Sequence, residues 1–410
     1  MNPMLNWQLA LRYLMGKRRA NAVPILSRIS MIAIAVASCA MIVLFSVFNG
    51  FEYLVRDLYK AFYPEIKVTV AKGKFFPFND TDLQKLKSVN GVEGVTRVIE
   101  DNVLLNSNNE QRVATLKGID KQFFNVNKVT PYIDEGADSV RSDVPTAIVG
   151  QQLMNQLGLE LNGAFNTIMV YYPNASGSSF ALSPESAFQS LQLKPEGTFK
   201  IQDEFDSKYI LASLPYVQQL LQAEGKFSSI ELSLTKNADA ASIKKQLQHL
   251  LGNKYKVETR FEQNKTLYMV MHSEKWAVYA ILLLVLLIAS FNMVGALSLL
   301  VMEKQKDMAI LKAMGAENHT IRSIFISEGI LWSLIGGLSG LTIGMLICLG
   351  QQHFQWIKLG GAFIIDAYPV HFLWGDFLLT IVTVVAVGLI ASWYPAARAS
   401  RTEIPSLKTD

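Results

Sequence analysis

The sequence predicts an α-helical membrane protein with four transmembrane helices and a large α+β domain inserted between helices 1 and 2. Half of its 410 residues are hydrophobic, and crossing about 30 Å of hydrocarbon takes roughly 20 apolar residues in a helix. Four stretches of that length lack Asp, Glu, Lys and Arg, at residues 29–51, 276–302, 329–357 and 377–397. The long segment after the first stretch has ordinary polarity, so we expect it to fold in water.

Basic residues predict the orientation of the chain, because Lys and Arg accumulate in short cytoplasmic segments. Residues 1–28, before the first transmembrane helix at 29–51, carry several basic residues and no acidic one: Arg12, Lys17, Arg18, Arg19 and Arg28. The tail at 398–410 contains Arg398, Arg401 and Lys408. Both termini are therefore predicted to be cytoplasmic and the inserted domain extracytoplasmic.

Two other interpretations of the first apolar stretch are a cleaved signal peptide and a lipidation box at Val36-Ala-Ser-Cys39. The residues after Cys39 stay apolar as far as Phe48, which favours a retained transmembrane helix. Cys39 and Cys348 are the only cysteines, and both lie in predicted spans. The inserted domain therefore contains no disulfide and depends on its own hydrophobic core.

The domain at residues 52–274 is predicted to be an α+β fold with two lobes. Alternating apolar residues predict strands at 66–70 and 230–234 and a last strand at 255–261, and a hairpin at 95–118 has its turn at 106–109. Helices are predicted at 149–157, from Pro215 to Leu221, and from the N-cap Asp239 to Leu251.

The second transmembrane helix, at 275–302, leads into a short cytoplasmic segment at 303–321. The residues from Met302 to Gly315, at the start of this segment, have the pattern of an amphipathic helix. Charged residues form one side, Ala309, Ile310, Ala313 and Met314 form an apolar ridge, and Gly315 occupies the position of a C-terminal cap. The pattern indicates docking of a soluble partner through Glu303, Lys304, Asp307, Met308, Ile310, Leu311, Met314 and Gly315.

The third and fourth transmembrane helices are predicted at 322–350 and 374–397, joined by an outer loop at 351–373. Gly336, Gly340 and Gly344 recur every four residues on the third, which lets helices approach closely in lipid. Packing within this chain and contact with another subunit both fit. No ionisable residue lies well inside a span, since Glu328 is placed at the cytoplasmic interface, and this argues against a proton relay.

An apolar rim is predicted where the first and second spans meet the outer surface. It comprises Phe48, Phe51, Leu54, Leu267 and Met271. Such residues are typical of an interfacial belt, and they are equally able to form an adaptable pocket for acyl chains. Both interpretations stay open.

Catalytic motifs are missing from the sequence. It contains no G-x-x-x-x-G-K-[ST] phosphate loop, no H-E-x-x-H and no G-x-S-x-G. The five histidines have no metal-ligand spacing. We therefore expect a non-enzymatic protein without a metal or cofactor of its own and without a nucleic-acid partner.

Several motifs together resemble a known family. They are Leu11-Arg-Tyr13, the N-G-F-E sequence from Asn49 to Glu52, the segment from Glu303 to Ala316, and the P-A-A-R-A-S sequence that follows Tyr394. The chain is similar to transmembrane subunits of ABC transporters of the FtsX/MacB superfamily, and most closely to the LolC/LolE lipoprotein-releasing permeases. The ATPase domain usually fused to MacB-type chains is missing.

The resemblance implies a MacB-like periplasmic core domain and a bacterial inner-membrane location. It implies pairing with a second permease, either a copy of this chain or a paralogue, around a cytoplasmic ATPase dimer that binds ATP and Mg²⁺. Nucleotide-driven motion would then draw lipoproteins from the outer leaflet and pass them to a periplasmic carrier. Peptide or toxin export and activation of a cell-wall hydrolase are the alternatives within the superfamily, and an ATP-independent sensor or scaffold is the alternative outside it.

Overall fold

The computed structural model describes residues 22–161, 163, 166–174, 188–358 and 367–401 and divides into two compact units. The membrane unit comprises Met1–Tyr53, Val270–Lys358 and Ala367–Asp410, and the α/β unit comprises Leu54–Met269 with Leu359–Asp366. The predicted motif at residues 11–13 and most of the basic residues at the two ends lie outside the described residues.

The helices of the described residues comprise four long membrane helices, a short helix between two of them, and the short helices of the α/β unit. In chain order they are α1 (Ala22–Phe62), α2 (Asp80–Lys87), α3 (Phe123–Val126), α4 (Gln151–Gln156), α5 (Asp203–Asp206), α6 (Leu214–Leu220), α7 (Ala240–Leu251), α8 (Arg260–Gln263), α9 (Lys265–Glu303), α10 (Gln305–Ala313), α11 (Asn318–Phe354) and α12 (Trp374–Arg401).

The strands of the described residues lie between α1 and α9. They are β1 (Ile66–Val70), β2 (Phe76–Pro77), β3 (Val92–Ser107), β4 (Glu110–Ile119), β5 (Ile133–Gly136), β6 (Thr146–Gly150), β7 (Ile168–Pro173), β8 (Phe188–Phe199), β9 (Tyr209–Ser213), β10 (Lys226–Phe227), β11 (Ser229–Leu234) and β12 (Tyr255–Thr259).

Helices α1, α9, α11 and α12 are long and apolar enough to cross a membrane. The predicted fold class, four such helices with an α+β domain after the first, is confirmed. All four helices extend beyond their predicted apolar spans at one end or at both. The four long helices share a core that includes Met293, Leu297, Phe325, Trp332 and Ala391.

The glycine stripe of α11 faces α1 of the same chain. A Cβ added at Gly340 would stand 2.2 Å from the carbonyl oxygen of Ala35, and one at Gly344 would stand 2.2 Å from the Cγ2 of Ile42. The two helices therefore approach each other so closely that side chains at these positions would separate them.

The placement of Glu328 at the cytoplasmic interface stays a prediction. Its side chain is buried within the membrane unit, with 1 % of its surface exposed. The carboxyl group is therefore enclosed by the neighbouring helices of the membrane unit.

One ten-stranded sheet forms the centre of the α/β unit, in the order β12-β1-β11-β3-β4-β9-β6-β8-β5, with β7 paired to β3 and β8. One hydrophobic cluster lies around β4, β6 and β9, and another lies around β1, β11 and α7. Because one sheet continues past both clusters, the two predicted lobes are not separated by a break in the sheet.

Local signals account for several elements. The predicted hairpin is confirmed as β3 and β4, and its turn residues Asn108 and Asn109 have φ values of 49° and 65°, as tight hairpin turns require. Asp239 caps α7 through a 3.1 Å bond from the backbone N–H of Ala241. The predicted start of α7 is also confirmed.

Two predicted boundaries in this unit are wrong. Val149 and Gly150, predicted to be helical, belong to β6, where Val149 is fully buried and pairs with Ile210. The strand predicted to reach residue 261 ends at Thr259, because Thr259 and Glu262 form a capping box that starts α8.

Four charged side chains form a row across neighbouring strands of this sheet: Lys67, Glu231, Glu100 and Lys117. The Nζ of Lys117 lies 2.8 Å from a carboxylate oxygen of Glu231 and 3.8 Å from one of Glu100, and the Nζ of Lys67 lies 2.7 Å from the other Glu100 oxygen. Burial alone would raise the pKa of Glu100, but Lys67 and Lys117 outweigh it and lower that pKa to about 2.

Candidate functional site

The predicted docking segment is a short helix set off from its neighbours by breaks in the backbone. Glu303, predicted to belong to it, ends α9 instead, and Lys304 interrupts the helix before α10 begins at Gln305. The Nζ of Lys304 lies 3.1 Å from Oδ2 of Asp307. Helix α10 is thus a separate element with its own N-terminus.

The other end of α10 has the hydrogen bonds of a Schellman motif. The N–H of Gly315 donates to the carbonyl of Lys312, and the N–H of Ala316 donates to that of Leu311, each at 2.9 Å. Gly315 has a φ of 90°, a left-handed conformation that favours glycine. Gly315 therefore ends the helix by its conformational freedom.

The faces of α10 divide differently from the predicted ridge. Met308 is 5 % exposed and packs into the core of the membrane unit, so it anchors the helix. Ile310 and Met314 are 60 % and 80 % exposed, and Ala313 is exposed as well. We call Ile310, Ala313 and Met314 the coupling patch. Leu311 is half-buried at its edge.

The C-terminal P-A-A-R-A-S sequence is the part of α12 against which α10 packs. Ala396 and Ala399 are buried in the same core as Met308, and the Nζ of Lys312 donates a 3.2 Å hydrogen bond to the carbonyl of Ser400. The small side chains of this sequence let α12 pack closely beneath α10. The sequence motif therefore has a structural explanation in this contact.

At the opposite ends of the membrane helices, three polar side chains from different helices meet. The Nζ of Lys275 on α9 lies 2.9 Å from Oδ1 of Asn49 on α1 and 3.0 Å from Oδ1 of Asp376 on α12. The Nδ2 of Asn49 donates to Oδ2 of Asp376 at 2.6 Å. We call Asn49, Lys275 and Asp376 the polar clamp.

The residue after Asn49 is equally constrained. A Cβ at Gly50 would stand 2.1 Å from the carbonyl oxygen of Pro369, so only glycine lets the outer loop pass there. The backbone N–H of His371 donates to the carbonyl of Ser46 at 2.9 Å. The first half of the N-G-F-E sequence thus fixes the outer loop on α1.

The predicted apolar rim is spread over both units. Phe48, Phe51 and Met271 belong to the membrane unit and are half-buried, whereas Leu54, which is buried, and Leu267, which is half-buried, belong to the α/β unit. Phe48 and Phe51 flank the clamp residue Asn49 on α1. The rim as a pocket stays a prediction.

Sequence reasoning missed the polar clamp because Lys275 and Asp376 look like ordinary charges at the ends of spans. A usable signal was present: the two residues have opposite charge, and both lie at ends of spans predicted to share the outer face.

Two sequence families match the chain. The family described as the MacB-like periplasmic core domain matches residues 27–250, and the family described as the FtsX-like permease C-terminal matches residues 279–404. The first match covers most of the α/β unit with much of α1, and the second covers α10, α11 and α12 with most of α9.

Individual relatives extend over nearly the whole chain. The lipoprotein-releasing system transmembrane protein LolE of Haemophilus influenzae is 24 % identical over 96 % of this chain and 96 % of its own length. The corresponding LolC protein of Xylella fastidiosa is 24 % identical over 98 % of each chain. The solved periplasmic region of MacB from Actinobacillus actinomycetemcomitans is 12 % identical, with a TM-score of 0.37, over 53 % of this chain and 98 % of that chain.

Proposed function

Because this chain belongs to the family with a MacB-like periplasmic core domain, we propose that it is the permease subunit of an ABC transporter that releases lipoproteins from the bacterial inner membrane. The proposal is supported by the similarity to LolE and LolC proteins along nearly the full chain and by the FtsX-like region at 279–404. Both termini and α10 are cytoplasmic in this proposal, and the α/β unit is periplasmic.

The coupling patch is the observation on which the proposal depends. It is an apolar surface on a helix that is anchored by Met308 and exposed between two membrane-spanning helices. Exposed apolar groups on an anchored element are typical of a protein-binding surface. We propose that a cytoplasmic ATPase dimer binds this patch.

Energy transfer then depends on how α10 is attached. Met308 packs in one core with residues of α9, α11 and α12, and packed cores transmit displacement because they are dense. A movement of the ATPase against the coupling patch would therefore be transmitted to the spanning helices. ATP and Mg²⁺ would bind to the ATPase, since this sequence contains no phosphate-binding loop.

The cargo proposed for this chain is a lipid-anchored protein. It would leave the outer leaflet near Phe48, Phe51 and Met271 and pass to a periplasmic carrier, without crossing to the cytoplasm. A second permease, identical or paralogous, would complete the membrane part of the transporter.

The coupling patch provides the test. We would introduce Ile310→Asp with Met314→Asp, purify the full chain from its native membrane, and quantify the bound ATPase and the release of lipoprotein to the carrier. An unpaired charge in a docking contact costs several kcal/mol, so we expect more than a tenfold loss of bound ATPase and loss of release. Lys306→Asp, an exposed residue of the same helix outside the patch, is the matched control.

Different outcomes would contradict the proposed ATPase-binding surface and the proposed cargo. Normal ATPase binding and normal release in the double variant would exclude the coupling patch as the ATPase-binding surface. A wild-type chain that binds no ATPase would favour the ATP-independent scaffold. A wild-type complex that binds the ATPase but releases no lipoprotein would exclude the proposed cargo and favour another permease of the superfamily.

A further inference from the structure

We propose that a groove between α1 and α11 binds one acyl chain of an anionic phospholipid, whose phosphate is held by Arg28. The groove has a volume of about 670 Å³, within the roughly 300–1,000 Å³ that small-molecule sites occupy. It lies entirely within the membrane unit. The proposal concerns a resident lipid, separate from the lipoprotein cargo.

The shape of the groove follows from two rows of residues that run side by side. On α11, Ile335, Ser339, Ile343 and Ile347 recur every four residues and so form one stripe along the helix. The glycine contacts show that α1 and α11 run in the same direction, since Gly336, Gly340 and Gly344 approach Met31, Ala35 and Cys39 in turn.

The walls and the floor of the groove differ in size. Ile32, Val36 and Ile343 are 62 %, 64 % and 50 % exposed and form walls, whereas Ala35, Ala40 and Ser339 line the groove with small side chains. The hydroxyl of Ser339 donates to the carbonyl of Gly336 at 2.9 Å, so it presents no unsatisfied donor. The groove is therefore a narrow apolar slot.

The slot is somewhat longer than the hydrocarbon of one membrane leaflet is deep. From Arg28 to Val43 the helix rises roughly 22 Å, at 1.5 Å per residue, and one leaflet contributes about half of a 30 Å hydrocarbon core. An acyl chain that begins near Arg28 would thus lie along most of the slot.

The positive charge of Arg28 favours anionic phospholipids over neutral ones. Of the described residues that line the groove, Arg28 alone is charged, and it is exposed at one end. Arginine binds phosphate through several parallel donors, and a basic residue near an anionic leaflet contributes about 1 kcal/mol. In the proposed orientation this end lies in the cytoplasmic leaflet, where anionic lipids attract basic residues; this leaflet assignment rests on the proposed function.

The test is native mass spectrometry of the full chain in mild detergent, titrated with palmitoyl-oleoyl phosphatidylglycerol or with phosphatidylcholine of the same chains. We expect one phosphatidylglycerol per chain, bound in preference to phosphatidylcholine. Arg28→Ala should reduce phosphatidylglycerol affinity about fivefold, to the level of phosphatidylcholine, and Ser339→Trp should remove both lipids by filling the slot.

Two controls match these variants. Arg398→Ala removes a basic residue outside the groove, and Leu346→Trp adds the same large side chain to an exposed position of α11 outside it. Both should bind lipid as the wild type does. Arg28→Ala replaces an exposed side chain, so the proposal stays testable if Ser339→Trp is not recovered as a folded protein.

Unchanged lipid binding in Ser339→Trp, or an unchanged headgroup preference in Arg28→Ala, would overturn the proposal. Conversion of a dimer to a monomer by Ser339→Trp, with no lipid bound to the wild type, would show that a second copy of the chain occupies the groove instead. None of these readouts requires lipoprotein release, so they can fail independently of the proposed function.

Discussion

The side chain of Asn49 on the first spanning helix donates a 2.6 Å hydrogen bond to Asp376 on the last, across 327 residues of sequence. Lys275 contacts both partners. The bond therefore closes a ring of three helices at one end of the membrane unit, and the charges of the ring balance each other.

This charge balance predicts that removing one charged member of the polar clamp lowers the stability of the chain. Asp376→Asn should destabilise the purified chain by about 3 kcal/mol, because removing one partner leaves a largely buried charge unpaired. The double variant Lys275→Met with Asp376→Asn should recover part of this loss. Thermal unfolding in detergent measures both, and additive losses in the double variant would contradict the coupling.

The close approach of α1 and α11 predicts a steric effect. Gly340→Ala should lower stability by about 1–3 kcal/mol, because the new methyl group would meet the backbone of Ala35. Gly295→Ala is the control, since nothing lies within 4 Å of its added Cβ, and it should be neutral or stabilising. Equal melting temperatures for the two variants would exclude this packing.

The charged row of the α/β unit predicts acid sensitivity. The pKa of Glu100 is lowered to about 2 in the folded chain, so its contribution is present above the ordinary value of 4.5 and is lost as pH falls towards 2. Glu100→Gln should destabilise β3 and β4 at pH 7 and remove this part of the pH dependence. Hydrogen exchange of β3 and β4 peptides, corrected for intrinsic rates, provides the measurement; a variant as protected as the wild type at pH 7 would contradict it.

Asp206 predicts a pH dependence of stability opposite in sign to that of Glu100. Burial raises its pKa to about 6, so its charged form disfavours folding, and stability is lost as pH rises through 6. The difference from the ordinary value of 3.8 corresponds to about 3 kcal/mol. Asp206→Asn keeps an oxygen to accept the 2.8 Å bond from the N–H of Ile201. It should slow exchange in β9 at pH 7.5 and leave it unchanged near pH 4.

The apolar rim predicts a functional effect without loss of assembly. Phe51→Glu with Met271→Glu should abolish lipoprotein release while the ATPase still co-purifies, because charges would line the proposed path of the acyl chains. Release assays with a purified carrier measure the first effect. Unimpaired release would exclude the pocket and leave the interfacial belt.

Sequence reasoning succeeded where the signal is local. The spans follow from runs of apolar residues, the β3–β4 turn from two adjacent asparagines, and the start of α7 from the cap Asp239. The polar clamp could not be predicted in this way, because its partners are far apart in sequence and each has an unremarkable neighbourhood.

The anchoring role of Met308 also could not be predicted from the sequence. A nine-residue helix between two spans has apolar residues on more than one face, and period alone does not tell which face turns towards the membrane unit. The packing of Ala396 and Ala399 decides it. The proposed acyl pocket depends on partners and cargo, about which the spacing of residues carries no information.

Helix α10 is broken from its neighbours at Lys304 and Gly315 and is anchored between these breaks by Met308. In the proposed function, α10 would therefore tilt about Met308 as a lever. Pivoting on Met308 as a rigid body, it has one arm of roughly 9 Å to Met314 and an opposite arm of roughly 6 Å to Lys304. A displacement at the patch end would reach α9 reversed in direction and reduced to about two-thirds of its size. The 3.2 Å hydrogen bond from Lys312 to the carbonyl of Ser400 would limit the swing, so α9 would receive a short displacement with increased force.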